Sequence, residues 1–223
     1  MNEHPITLHV MDDLRRSRLT VFFRLLLFIP HYIWLGLWGY VLVVVLILNW
    51  IVALVIGRPA KPFQRFTAAY LRYSTTVFSY VLLVANPFPG FVGEPGSYPV
   101  ELEVPTTPEK QNRLVTFFRL FLGLPALLLS GIVMYMAFFV AFLGWWASMV
   151  MGRMPRGLRD LGANALRYQG QANAYLYLAT GRYPNSSPYV GMALGEPVIA
   201  QVAVVPAAAG STAPEAPEAP PEA

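Results

Sequence analysis

The sequence predicts a mainly α integral membrane protein. It is a tandem repeat in which each copy holds a strand, a long transmembrane helix and an amphipathic second helix, with a small extramembrane β element. Three observations lead there. Of 223 residues, 56% are hydrophobic and only 13% charged, about half the charge of an ordinary soluble domain. Two long runs, Leu25 to Gly57 and Leu120 to Gly152, carry no formal charge. The chain also matches itself: Arg18–Pro89 aligns without a gap on Arg113–Pro184, with about a third of positions identical.

The repeat defines the organisation. Residues 1–95 form a first membrane repeat and 96–190 a second, followed by a short strand segment at 191–206 and a disordered Pro/Ala/Glu tail at 207–223. RLTVFFRLLLFIP pairs with RLVTFFRLFLGLP. Retained positions include Arg18/Arg113, Arg24/Arg119, Pro30/Pro125, Trp50/Trp145, Gly57/Gly152, Arg58/Arg153, Arg72/Arg167 and Tyr80/Tyr175. Matching Gly and Pro imply matching backbone geometry. Matching Arg implies matching charge placement relative to a bilayer. The N-terminal segment lacks the basic, apolar and small-residue regions of a secretory signal, so insertion is expected through the internal apolar runs.

Each unit opens with alternating residues. Ile6, Leu8 and Val10 alternate with Thr7 and His9; Val100, Leu102 and Val104 alternate with Glu101 and Glu103. Period two predicts half-buried strands. With a third at Pro197–Val205 they would form one small sheet.

The uncharged run of 33 residues would span about 50 Å as one helix, whereas a crossing needs about 20 residues. One possibility is a long tilted helix that begins in the interface and kinks near Pro30. The other is a shallow hairpin turning near Gly36 without full crossing. The helix is favoured, because Gly36 and Gly39 make a poor turn without Asn, Asp or Pro beside them. A full crossing leaves both ends basic, with Arg15, Arg16, Arg18 and Arg24 before the run and Arg58, Lys61 and Arg65 after it. The hairpin gathers these charges on one side, which would be cytoplasmic. Gly57-Arg58-Pro59 and Gly152-Arg153-Met154-Pro155 stop the run.

A second helix is expected over Pro62–Ala85 and Gly157–Thr180. It bears a polar stripe that includes Gln64, Arg65, Arg72 and Ser79 in one copy and Arg159, Asn164, Arg167 and Gln171 in the other. An Arg at mid-membrane is costly unless it snorkels or is paired, and the apolar runs hold no carboxylate. An interfacial or shallowly tilted helix is therefore favoured over a crossing one. Gly170 and Ala174 have a small-xxx-small spacing that suggests helix packing.

The order of these elements resembles the bacterial membrane family of domain of unknown function 4389, in two tandem copies. The resemblance covers about Pro5 to Pro184. It rests on Pro30/Pro125, the two Gly-Arg stops, Leu71-Arg72-Tyr73 and Leu166-Arg167-Tyr168, and the closing Asn86-Pro87-Phe88-Pro89 and Gly181-Arg182-Tyr183-Pro184. The second copy departs by placing its Pro one residue later after Gly-Arg and by lacking the counterpart of Pro87. The resemblance implies a bacterial integral membrane protein and brings no activity or catalytic residue with it.

The chemistry-bearing residues are few. Cysteine is absent, which excludes a disulfide scaffold, a thiolate metal site and a cysteine nucleophile. His4, His9 and His31 lack a second ligand at metal spacing, and His31 has Ala126 as its counterpart. Of the twelve acids, only Asp160 approaches a membrane segment, and its counterpart is Arg65. No catalytic, metal or cofactor site is therefore assigned. The net charge is +4, from fourteen Arg and only two Lys against twelve acids. In a membrane protein the default partner of Arg is a lipid phosphate, and nucleic-acid motifs are absent. Arg24, Arg58, Arg72, Arg119, Arg153 and Arg167 are the candidate lipid- or anion-binding residues. The plainer role is to mark the membrane boundary by snorkelling. The expectation is a non-catalytic scaffold or accessory subunit in the cytoplasmic (inner) membrane, with membrane lipids and a protein partner around it. The alternative is a lipid-binding or anion/lipid transport protein using the repeated Arg.

Overall fold

The computed structural model describes residues 4–184. The third strand, the segment at 191–206 and the tail lie outside the described residues. The elements are β1 (Thr7–Val10), α1 (Arg18–Phe22), α2 (Arg24–Ile56), α3 (Lys61–Val81), β2 (Val100–Glu103), α4 (Arg113–Phe117), α5 (Arg119–Met151) and α6 (Arg156–Leu176). All three helices of the second copy start and end 95 residues after those of the first, so the sequence repeat is a backbone repeat.

Both apolar runs are single continuous helices of 33 residues, long and apolar enough to cross a membrane. The hairpin near Gly36 is thereby overturned. Nothing terminates the helix at Gly36, whereas Gly57 and Gly152 do so with φ of +82° and +68°, the left-handed cap that glycine adopts without strain. One non-helical residue, Phe23 or Phe118, separates each long helix from the short one before it. The second helices end at Val81 and Leu176, four residues before the expected limits. There Leu83 and Leu178 turn the chain with positive φ. The amides of Val84 and Ala179 then donate back to Ser79 O and Ala174 O, which closes the helix end.

The two strands pair with one another across the repeats, antiparallel, with Leu8 opposite Leu102 and Val10 opposite Val100. Their apolar side rests on α3 and α6: Ile6, Leu102 and Val104 share a buried cluster with Ala68, Leu71 and Ala174. α3 and α6 run antiparallel. Gln64 at the start of α3 donates to Ala179 O beyond the end of α6 (2.8 Å), and Gly162 near the start of α6 lies against Val84. The long helices flank this pair, α2 against α3 and α5 against α6. The result is three layers: sheet, short-helix pair, long-helix pair.

This layering corrects the picture of a polar stripe facing the membrane interface. Gln64, Thr67, Ser79, Asn164 and Gln171 are buried, because α3 and α6 are covered on both faces. Buried polar groups then need partners within the fold, and Gln171 finds one in Ile6 O of the strand segment.

α5 presents α6 a seam of mostly small residues. Gly123, Ala126, Ser130, Met134, Ala137, Ala141, Gly144 and Ser148 are buried at steps of three or four, the spacing of a close-packed helix pair. A Cβ on Gly123 would come within 2.5 Å of Leu176 Cδ2, and one on Gly144 within 2.5 Å of Met154 Cε. On α2 the buried face is bulkier, with Arg24, His31, Leu35, Leu42, Asn49 and Ala53. The Gly170–Ala174 spacing, by contrast, serves two partners, with Ala174 packed beside Ala68 and Leu71 of α3 and Gly170 against the sheet. Gly170 makes room for Leu102 of β2, whose Cδ1 would lie 2.8 Å from an added Cβ.

The seam generates a paired prediction. Gly123→Leu overpacks α5 against α6 and should destabilise the fold by about 1–3 kcal/mol. Gly36→Ala, where an added Cβ meets nothing within 4 Å, should be neutral or stabilising. Thermal unfolding of the two detergent-purified variants beside the wild type checks both.

Candidate functional site

Two of the retained arginine pairs, Arg24/Arg119 and Arg18/Arg113, clamp helix ends. A helix C-terminus leaves its last carbonyls unpaired and carries the negative end of the dipole, so a guanidinium is its natural complement. Arg24 Nη1 donates to Tyr80 O (2.6 Å) and Ala85 O (3.2 Å) at the end of α3. Its counterpart Arg119 donates to Tyr175 O (2.7 Å) and Thr180 O (3.2 Å) at the end of α6. Each guanidinium also lies over a ring, 4.3 Å from that of Tyr80 and 4.6 Å from that of Tyr175, within cation–π range. Both arginines are buried. Carbonyls and a ring replace the carboxylate that the apolar runs lack. Arg24 and Arg119 are thus turned into the fold and away from any lipid phosphate outside it.

A second set joins the two repeats reciprocally. Arg18 donates to Val150 O in the last turn of α5, and Arg113 to Val55 O in the last turn of α2. The Trp50 indole donates to Thr116 O, and that of Trp145 to Val21 O. The amides of Arg16 and Gln111 donate to Gly152 O and Gly57 O. Every contact from copy one to copy two in this set is matched by its converse. That is the signature of an isologous, two-fold interface, here within one chain. Sequence reasoning missed this role for Arg18, Arg113 and the tryptophans. The available signal was that the same side chains recur at the same places in both copies.

The remaining candidate arginines lie elsewhere. Arg58 and Arg153 are exposed in the turns after α2 and α5. Arg72 is half-buried on α3 and donates to Gly93 O (3.1 Å). Arg167 is half-buried on α6. The six therefore form no single anion site. They divide into two internal clamps, two exposed turn residues and two flank residues.

Exposed Arg15, Arg18, Arg58, Lys61, Arg113 and Arg153 occupy the two ends of the molecule. Each end combines the start of one long helix with the finish of the other, as Arg18–Val150 and Arg113–Val55 require. Basic groups at both ends of a long helix therefore border one and the same layer. At one end Arg16, paired with Asp12, also donates to Leu83 O (2.9 Å).

Between α3 and α6, on the side of the long helices, lies a recess of about 310 Å³. Leu35 of α2 forms one wall, Leu71, Phe78 and Gly170 also line it, and Tyr70, Ser74, Thr75, Gln169, Asn173 and Tyr177 add hydroxyls and amides. Formally charged side chains are absent from its lining. His31 of α2 is buried, with Nδ1 at 2.9 Å from the Tyr73 hydroxyl and its ring stacked on Phe91. Outside the long helices, burial lowers the His4 pKa and raises that of the Tyr98 phenol, whose hydroxyl donates to Pro87 O (2.7 Å). Among the described residues no group of three His, Asp or Glu is placed to hold a metal ion.

The clamps and the exposed arginines should separate on mutation. Arg24→Gln or Arg119→Gln should destabilise the protein by about 2–4 kcal/mol, through lost charge-assisted bonds and ring stacking. Arg58→Gln and Arg153→Gln should fall within about 0.5 kcal/mol of the wild type. Chemical denaturation in a mild detergent reads the difference.

No curated protein matches the chain. No solved structure matches it either. The model of one family matches twice, over residues 18–92 and 113–187, and each match begins at Arg18 or Arg113, takes in all three helices of its copy, and ends beyond the clamped carbonyls. The protein belongs to the family described as Domain of unknown function (DUF4389), as two tandem copies.

Proposed function

We propose that the protein is a non-catalytic integral membrane scaffold or accessory subunit, embedded in the cytoplasmic membrane from its cytoplasmic side. One observation carries this reading. The layer of long helices exposes apolar side chains such as Leu25, Ile29, Ile33, Leu120, Leu128 and Ile132, while the opposite layer is a small sheet bearing Thr7, His9, Glu101 and Glu103. Exposed apolar surface on this scale requires a lipid or protein cover. The sheet lies over the middle of α3 and α6, not at an end. A crossing of the whole body would put its carboxylates at bilayer mid-depth, where charge is strongly disfavoured. Embedding from one side keeps the sheet in water and the long helices in lipid. It also brings the exposed arginines at both ends to one membrane face, in keeping with the positive-inside rule. The interlocked repeats make a rigid body whose polar face is open to a protein partner.

Lipid binding is a second reading, favoured by the uncharged polar recess on the long-helix side. Anion transport through the repeated arginines gains no such support, since Arg24 and Arg119 are buried in clamps.

Topology mapping tests the embedding. The chain has no cysteine, so Arg15→Cys and Lys61→Cys place one thiol before α2 and one after it. Both should react with an impermeant maleimide in inverted membrane vesicles and neither in intact spheroplasts. Opposite accessibility of the two would overturn embedding from one side. For the scaffold role, native mass spectrometry after mild extraction should show a stoichiometric protein partner. A solitary chain or a homo-oligomer would count against it.

A further inference from the structure

From the recess between α3 and α6 we infer that the protein holds one uncharged two-chain lipid, by its glycerol diester, in a specific site. The inference rests on the membrane-embedded reading and adds a ligand to it. The recess volume, about 310 Å³, falls in the range of about 300–1,000 Å³ usual for small-molecule sites. Its position fits a ligand that arrives from the bilayer. The sheet covers the other face of the helix pair, with Leu102 against Gly170, and Leu35 of the apolar helix α2 forms a wall. Acyl chains would follow the exposed apolar faces of the long helices.

The lining chemistry selects the headgroup. Hydroxyls of Tyr70, Ser74, Thr75 and Tyr177 and amides of Gln169 and Asn173 offer both donors and acceptors, which match ester carbonyls and a free glycerol hydroxyl. No charged side chain lines the recess to neutralise a phosphate. Among the described residues, the Gln169 and Asn173 side-chain amides make no hydrogen bond within the chain. On a lipid-facing side such groups call for a partner.

The recess also breaks the symmetry that the clamps preserve. It straddles the relation between the copies, yet Ser74 is matched by Gln169 and Phe78 by Asn173. One rim is aromatic and the other an amide. A single asymmetric ligand in one orientation fits such a site better than two equivalent ones. Tyr70 and Tyr177, in edge-to-face contact at 6.4 Å, both line it.

The test uses the full chain in detergent micelles, with dioleoylglycerol as the probe, dioleoylphosphatidylglycerol as the charged comparison and occupancy read by native mass spectrometry. The wild type should take up one dioleoylglycerol. Asn173→Leu, which fills the recess and removes the amide, should weaken that uptake at least tenfold without altering the binding of the charged lipid. Where that variant fails to fold, the Tyr70→Phe/Tyr177→Phe pair decides instead, since it keeps both rings; at least a threefold loss is expected. Unchanged dioleoylglycerol uptake in a folded variant overturns the site, and so does a wild type that retains none. Equal displacement by the phosphatidylglycerol overturns the assignment to an uncharged headgroup. Maleimide labelling at positions 15 and 61 reports embedding independently, so loss of this site and failure of the membrane reading give different results.

Discussion

The fold depends on guanidinium groups seated at helix C-termini. The chain places cations beside apolar helices without carboxylates to meet them, an arrangement that would be unfavourable for exposed charges in lipid. The carbonyls of a finishing helix resolve it. They need donors in any case, they carry partial negative charge, and the guanidinium supplies several donors in a fixed plane. Arg24 and Arg119 each tie a long helix to its own short helix. Arg18 and Arg113 each tie the start of one copy to the finish of the other. The four clamps thereby determine both the hairpin within a copy and the assembly of the copies.

The reciprocal contacts explain why two copies share one chain. A single copy would leave the carbonyls at the end of its long helix without their guanidinium partner, its Trp indole without Thr116 O or Val21 O, and its strand without a neighbour. An isolated two-stranded ribbon is marginal even when complete. The duplicated chain behaves as a covalently fused dimer with an isologous interface. Retention follows from this. Residues whose side chains donate in the duplicated contacts, Arg18/Arg113, Arg24/Arg119 and Trp50/Trp145, stay the same in both copies, whereas faces that pack locally have drifted, with His31 facing Ala126 and Asn49 facing Gly144 in the alignment.

Drift has functional room only away from the clamps. Small residues along α5 let it approach α6 closely, while the bulkier buried face of α2 gives the first copy different packing. The polar recess lies between the two short helices, where Ser74 faces Gln169 and Phe78 faces Asn173 in the alignment. A symmetric frame supplies rigidity there, and the unequal lining supplies the chemical character of the recess.

Much of the architecture was legible in the sequence by itself. Alternation at Ile6–Val10 and Val100–Val104 located both strands, charge-free runs located both long helices, and Gly57 and Gly152 located their ends, because these features are local and periodic. Self-alignment exposed the duplication because matching backbones demand matching Gly, Pro and Arg. The role of each arginine was not legible. For Arg18, Arg24, Arg113 and Arg119 the partner is a backbone carbonyl more than fifty residues away, and every residue type carries the same carbonyl, so sequence cannot mark it. The polar stripe of the short helices was visible, but its direction was not, since periodicity defines a face without saying what covers it. Only the tertiary structure, by laying strands on one side of α3 and α6 and long helices on the other, decided that the uncharged polar members of the stripe such as Gln64, Ser79, Asn164 and Gln171 are buried, that both ends of each long helix border one layer, and that a polar recess opens between the copies.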